Sequence, residues 1–479
     1  MPWWLLAIFV FGANFTLWGV IGLCRLAESP FARRRSRRIV WPVNEPDEIE
    51  NADTDVVVAL REGDGFRRPR RGNLSVNDVA VLIAAHNESV VIENTLAAIS
   101  KLVPRQNIHV VSDGSTDDTL DLALGAGVHA MATETNLGKA GALSAAIKQF
   151  RLVDRFAVVM LLDADTRVQP TYFDAGLPLF DDLKVSAVAG CVRSERDRKL
   201  SLVGNLLVAH RMRVYLLAQR ILKFGQTWMR LNSTYIVPGF ASMYRSDVLP
   251  QIDINPPGLV IEDFNMTFEL YQKKLGKVGF TLGAVAVTQD PDTFQDYLKQ
   301  TKRWALGLWQ TVRRHPPKAN MFTGMLTMLL VELITSSLIF LALPILAIIL
   351  LLPDVYGGSL ALPVFNEVHT AVAAHVTLRS LLFGIVIPDY SITVLATLIE
   401  RRPRLLLCGL FFLFLRVFDA GIALYTLPLA WLAKSNGRWK SPTRRALVPE
   451  NINSRRLAAA PEPSPSLFAD AVRDSEAAG

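Results

Sequence analysis

Residues 158–165 read Val158-Val159-Met160-Leu161-Leu162-Asp163-Ala164-Asp165. A short unbroken apolar run is the pattern of a strand covered on both faces, as in a parallel sheet. Two carboxylates at i and i+2 close the run. At a strand end they can offer oxygens to a hard divalent cation, and a surface turn uses the same residues. Working upstream, Val79–Ala85 is a second such run and ends in His86-Asn87-Glu88. The spacing predicts a helix over Asn87–Leu102, with Val91, Leu96 and Ile99 facing the core. Ile108–Val111 is a third strand, ending in Ser112-Asp113-Gly114, and Thr119–Leu124 starts another helix. Strands alternating with helices imply a parallel α/β sheet with ligands at the carboxyl ends of its strands, where these acidic residues stand.

The chain has 479 residues, a net charge of +7 and a mean hydropathy of +0.27. Its apolar residues concentrate at the two ends. Residues 1–26 read as an N-terminal transmembrane anchor, because 3–24 is an apolar run of spanning length. Arg33, Arg34, Arg35, Arg37 and Arg38 follow it. Basic clusters beside apolar runs fit the positive-inside rule better than nucleic-acid binding, so no nucleic-acid partner is expected. Residues 27–77 read as a cytosolic basic segment and linker. Residues 78–290 read as the catalytic α/β domain, and 291–320 as interface helices. Residues 321–432 hold three further apolar runs, and 433–479 a cytosolic basic segment and tail. Arg416 and Asp419 fall inside the run 405–432, where charges are costly unless paired. That run is therefore expected to be broken or partly interfacial. Cys24, Cys191 and Cys408 are too scattered for a disulfide framework or a metal site.

Other segments carry chemistry on their own terms. Asp113 in Asp113-Gly114-Ser115-Thr116-Asp117 can hydrogen-bond a base or ribose, and Ser115 or Thr116 can cap the helix that follows. Lys139, in Asn136-Leu137-Gly138-Lys139-Ala140-Gly141, can approach phosphate oxygens. Glu262-Asp263 can supply a general base or simply an acidic helix start. In Gln300-Thr301-Lys302-Arg303-Trp304, Arg303 can neutralise a diphosphate and Trp304 can stack on a sugar. Arg and Trp are equally ordinary at a membrane interface.

Taken in order, Asp113, Asp163/Asp165, Glu262-Asp263 and Gln300–Trp304 resemble the processive, membrane-integrated members of glycosyltransferase family 2. These include cellulose, hyaluronan, chitooligosaccharide and poly-N-acetylglucosamine synthases. The resemblance spans roughly 78–310. It implies a Rossmann-like GT-A fold joined to a helical transmembrane region, and inverting sugar transfer from a nucleotide diphosphate sugar, a UDP-sugar, to a β-linked glycan acceptor. It implies Mg2+ or Mn2+ on Asp165 with Asp163 beside it, Asp263 as general base and Glu262 next to it. Ala84, His86, Glu88, Asp113, Lys139 and Asp163 are implied on the nucleotide sugar, with His86 standing where the family often has Tyr. Gly239, within Val237–Arg245, and Gln300, Arg303 and Trp304 are implied at the acceptor and diphosphate end. Trp439, Thr443 and Arg444 resemble a gating segment of hyaluronan synthases. The implied setting is an inner or plasma membrane, in contact with lipid, with a cytosolic catalytic domain. Non-processive transfer to a lipid or short acceptor is the alternative. Donor sugar, linkage and oligomeric state are left open.

Overall fold

A computed structural model describes residues 2–36, 74–195, 200–355 and 363–432. The gating candidates Trp439, Thr443 and Arg444, and Arg37 and Arg38, lie outside the described residues. The strands are β1 (Val79–Ala85), β2 (Ile108–Asp113), β3 (His129–Thr133), β4 (Val158–Asp163), β5 (Arg167–Val168), β6 (Val185–Ser194), β7 (Ala241–Arg245) and β8 (Lys277–Thr288). They form one sheet in the order β3-β2-β1-β4-β7-β6-β8-β5.

Every residue of β1 and β2 is buried, as the unbroken apolar runs require. The β3-β2-β1-β4 half is parallel, as expected. The other half is not: β7 runs antiparallel to both β4 and β6, and β5 antiparallel to β8. The sheet is therefore mixed, and a wholly parallel reading is corrected. β7 pairs with β4 through Leu162↔Ala241, which brings Gly239, two residues upstream, beside the end of β4. Ala84 pairs with both Val111 and Asp163, so the ends of β1, β2 and β4 lie level along one edge. The predicted helix after β1 spans Ser89–Ile99, with Val91, Leu96 and Ile99 buried.

Three helices among the described residues are long and apolar enough to cross a membrane: Met321–Pro353, Leu378–Glu400 and Phe412–Leu432. The run 405–432 is broken, with a short helix Arg404–Gly409 ahead of Phe412–Leu432. Arg416 Nη1 lies 2.6 Å from Asp389 Oδ1, and Arg213 Nη1 2.9 Å from Asp389 Oδ2. Tyr297 Oη donates to Asp419 Oδ1 at 2.6 Å. The charges inside the apolar run thus have partners, which removes most of the cost of burying them.

The apolar run at 3–24 is not one helix. Trp3–Phe11 and Ala13–Ser36 meet at Gly12, whose φ is 75°. The break lets Asn14 N donate to Glu332 Oε2 at 2.8 Å. A Cβ on Gly12 would stand 1.9 Å from Glu332 Oε1, so the carboxylate needs glycine there. Beyond the break the second helix lies on the catalytic domain. Arg25 donates to Phe224 O at 2.5 Å and Phe280 O at 3.1 Å, and Trp18 is 1% exposed.

Candidate active site

The level strand ends open into a cleft of about 380 Å³. Its walls include Glu88, Lys139, Asp163, Asp165, Gly239 and Glu262, and also Asp263, Gln300, Arg303 and Trp304. Segments separated by long stretches of chain therefore converge on one space. His86 and Asp113 fall outside this lining, and Ala84 does not line it either. Its side chain is 1% exposed and packs in the core beneath the sheet edge, so the cleft-facing residue after β1 is Glu88.

The β2 end is built around one carboxylate. Asp113 Oδ1 accepts from Thr133 Oγ1 at 2.9 Å and from Leu137 N at 2.8 Å. Its buried Oδ2 has no hydrogen-bond partner in the protein, which suits an acceptor held for a ligand hydroxyl or amide. Gly114 turns the chain away at φ 57°, and a Cβ there would meet Asn136 N at 2.7 Å. His86 Nδ1 lies 2.6 Å from Asp113 O, and Nε2 lies 3.2 Å from Asn136 Nδ2. A carbonyl can only accept, so Nδ1 carries the proton and Nε2 accepts from the amide. The capping role expected of Ser115 or Thr116 belongs instead to Asp117. Its Oδ1 accepts from Thr119 N at 3.2 Å and its Oδ2 from Ser89 N at 3.0 Å, tying two helix starts together.

Lys139 joins the two acidic clusters. Its Nζ is 2.8 Å from Asp163 Oδ1, 2.8 Å from Glu262 Oε1 and 3.2 Å from Gly239 O. Burial alone would lower the Lys139 ammonium; Asp163 and Glu262 outweigh it and hold it above the usual lysine range. Burial would likewise raise Glu262, but Lys139 holds it below the usual range. Asp163 is pushed up by burial, against Lys139 and with Asp165 adding to the rise.

Asp263 is the second residue of the helix Glu262–Gln272. Its Oδ2 accepts from Gly239 N at 3.3 Å, and its Oδ1 from Phe264 N at 2.8 Å. Burial and the neighbouring Glu262 push its carboxyl up to about 7. A Cβ at Gly239 would stand 3.0 Å from both Glu262 Oε1 and Lys139 Nζ, so the backbone approaches the acids closely only because that residue is glycine.

Asp163 and Asp165 supply hard oxygen donors at the cleft. Among the described residues no cluster of three or more His, Cys, Asp or Glu forms a complete cage. A pair of carboxylates that leaves the remaining positions to substrate phosphates and water fits Mg2+ or Mn2+. Gln300, Arg303 and Trp304 reach the same cleft from the helix Phe294–Arg314. The buried Gln300 Oε1 has no partner in the protein.

A sequence model described as "Glycosyltransferase like family 2" matches residues 77–307. The chain carries a glycosyltransferase-like family 2 domain. It is 26% identical over 253 residues to the poly-beta-1,6-N-acetyl-D-glucosamine synthase of Staphylococcus epidermidis, covering 50% of this chain and 58% of that one. It is 27% identical over 242 residues to the probable glycosyltransferase YdaM of Bacillus subtilis, covering 48% of this chain and 54% of that one. The chain thus spans less than two thirds of the length of either relative. Among solved structures, a mannosyltransferase of Pyrobaculum calidifontis in complex with GDP-Man and Mn2+ is similar at 15% identity, covering 88% of this chain and 99% of that one, with a TM-score of 0.46.

The sequence reading missed one wall of the family 2 domain's cleft. Tyr215, Gln219 and Lys223 line it from the helix Leu202–Leu216 and its continuation as a π-helix over Leu217–Lys223. The available signal was the recurrence of Tyr215, Gln219 and Lys223 at every fourth position, which puts them on one helix face.

Proposed function

We propose that the chain is an inverting, metal-dependent glycosyltransferase that takes sugar from a nucleotide diphosphate sugar, a UDP-sugar in the first instance. The acceptor is a growing β-linked polysaccharide, and extension is coupled to passage through the membrane helices. The observation that carries this reading is the Lys139 bridge between Asp163 and Glu262, with Asp263 beside it on the amide of Gly239. It brings candidate metal ligands and a candidate base to one cleft.

In this reading Asp113 and Glu88 hold the nucleoside. Asp165, with Asp163, holds the cation, which supplies charge neutralisation for the departing diphosphate. Asp263 takes the proton of the acceptor hydroxyl as that oxygen attacks the anomeric carbon from the face opposite the diphosphate. The bond from that carbon to the diphosphate oxygen breaks, and the nucleotide diphosphate leaves with the electron pair. Glu262, paired with Lys139, keeps Asp263 basic enough to accept a proton near neutral pH. Trp304 offers its ring to the acceptor, and Arg303 its guanidinium to the diphosphate.

The Staphylococcus relative is named for an N-acetylglucosamine polymer, so UDP-N-acetylglucosamine is the first donor to try. The test is nucleotide diphosphate release by the purified full chain across a panel of sugar nucleotides, with Mn2+, with Mg2+ and with EDTA. Product length is read on the same samples. Metal-dependent release with long products supports the proposal. A single added sugar would favour transfer to a lipid or short acceptor, and release unaffected by EDTA would remove the metal.

A further inference from the structure

The missed wall carries a regularity. Arg211, Tyr215, Gln219 and Lys223 recur every fourth residue along the continuous helix 202–223, and each fastens a different segment bordering the cleft. Tyr215 Oη donates to Asp290 Oδ1 at 2.9 Å. Gln219 accepts from Val192 N at 2.6 Å and donates to Val192 O at 2.9 Å. Lys223 Nζ donates to Ile236 O at 2.9 Å, just ahead of Gly239. Arg211 is the member aimed at the Phe294–Arg314 helix.

The Arg211 guanidinium lies 4.5 Å from the Tyr297 ring centroid and 4.5 Å from that of Trp304. Its Nη2 donates to Thr301 Oγ1 at 2.7 Å. The residue is 4% exposed and does not line the cleft, whereas Trp304 does. A planar cation held between two rings fixes the plane of each, and a lysine cannot stack in its place. Tyr297 is itself anchored, by Asp419 at 2.6 Å. The indole of Trp304 is thus held from behind by a buried, hydrogen-bonded group.

We infer that Arg211 is a positioning residue for acceptor binding, setting the ring plane of Trp304 as the surface on which the acceptor sugar stacks. This rests on the proposed function for the acceptor, but not for the state of the ring. Binding that depends on an aligned ring loses its strength when the ring is free to turn, while the nucleotide end of the cleft stays as it was.

The test uses the full chain, with UDP-N-acetylglucosamine as donor and short β-linked N-acetylglucosamine oligomers as acceptor. R211M and R211K are each expected to raise the acceptor KM by about tenfold, with the donor KM changed by less than about twofold. R211M should add nothing further in a W304A background. Equal loss on both substrates, or an additive effect with W304A, overturns the inference. Thr301→Val, which removes the hydrogen bond and keeps the stacking, should show a smaller effect and guards against R211M failing to fold. The second readout needs no turnover: the 19F resonance of 5-fluorotryptophan at position 304, assigned by its loss in W304F. It should shift and broaden in R211M and R211K, and an unmoved resonance overturns the inference. If the wild-type chain turns over no sugar nucleotide, the functional reading fails while the resonance still decides the role of Arg211.

Discussion

Lys139 Nζ stands 2.8 Å from Glu262 Oε1, and the same ammonium is 2.8 Å from Asp163 Oδ1. One cation therefore holds the end of β4 to the start of the helix that carries Asp263. Replacing Lys139 with Met leaves two carboxylates facing each other without their counter-charge. Transfer is expected to fall by about a hundredfold or more, the scale of losing one preorganised electrostatic contact. Manganese binding should persist, because Asp163 is then freed from its ion pair. Nucleotide release and a manganese titration check the two halves separately.

The acid limb of activity should follow Asp263. A base must be ionised to accept a proton, and burial and Glu262 push this carboxyl up to about 7. Turnover should therefore rise with pH through about 7 and level off above it. Glu262→Gln removes the neighbouring negative charge and leaves Lys139 less neutralised. Both changes favour ionised Asp263, so the limb should move to lower pH. A limb that stays in place, or moves up, would contradict the assignment.

Asp389 is 2% exposed between Arg213 and Arg416. Asp389→Asn leaves two guanidiniums without their shared carboxylate. A loss of about 3–5 kcal/mol is expected, as for removing one partner of a buried pair. Thermal unfolding of the detergent-solubilised chain should show a clear fall in Tm.

Much of the nucleotide side was legible in the sequence because local signals coincide there. β1, β2 and β4 are short apolar runs, buried as such runs must be, and carboxylates stand at or just past their ends. The remainder depends on contacts between distant segments. A lone Gly12 in an apolar run is too weak a signal to announce a helix break, and the carboxylate that meets the broken end, Glu332, reaches Asn14 from 318 residues away. The helix Leu202–Leu216 buries residues on several sides, between the sheet and the apolar helices, so no single apolar stripe marks it. The antiparallel course of β7 was hidden because Val237–Arg245 was legible only by its resemblance to an acceptor segment.

The basic segment after the Phe412–Leu432 helix is expected on the same side of the membrane as the catalytic domain, following its Lys and Arg content. Reporter fusions after Gly437 measure this. An extracellular signal would exclude a gating role for Trp439, Thr443 and Arg444.

The central claim is that Asp263 takes the acceptor's proton in a cleft whose nucleotide end is independent of it. Asp263→Asn keeps the side chain's shape and its place beside Gly239 while removing its basicity. The decisive measurement pairs sugar transfer by this variant with its affinity for nucleotide diphosphate in the presence of Mn2+. Transfer should disappear while nucleotide binding stays near the wild-type value. Surviving transfer with nucleotide binding intact would contradict the assignment of the base and the account built on it.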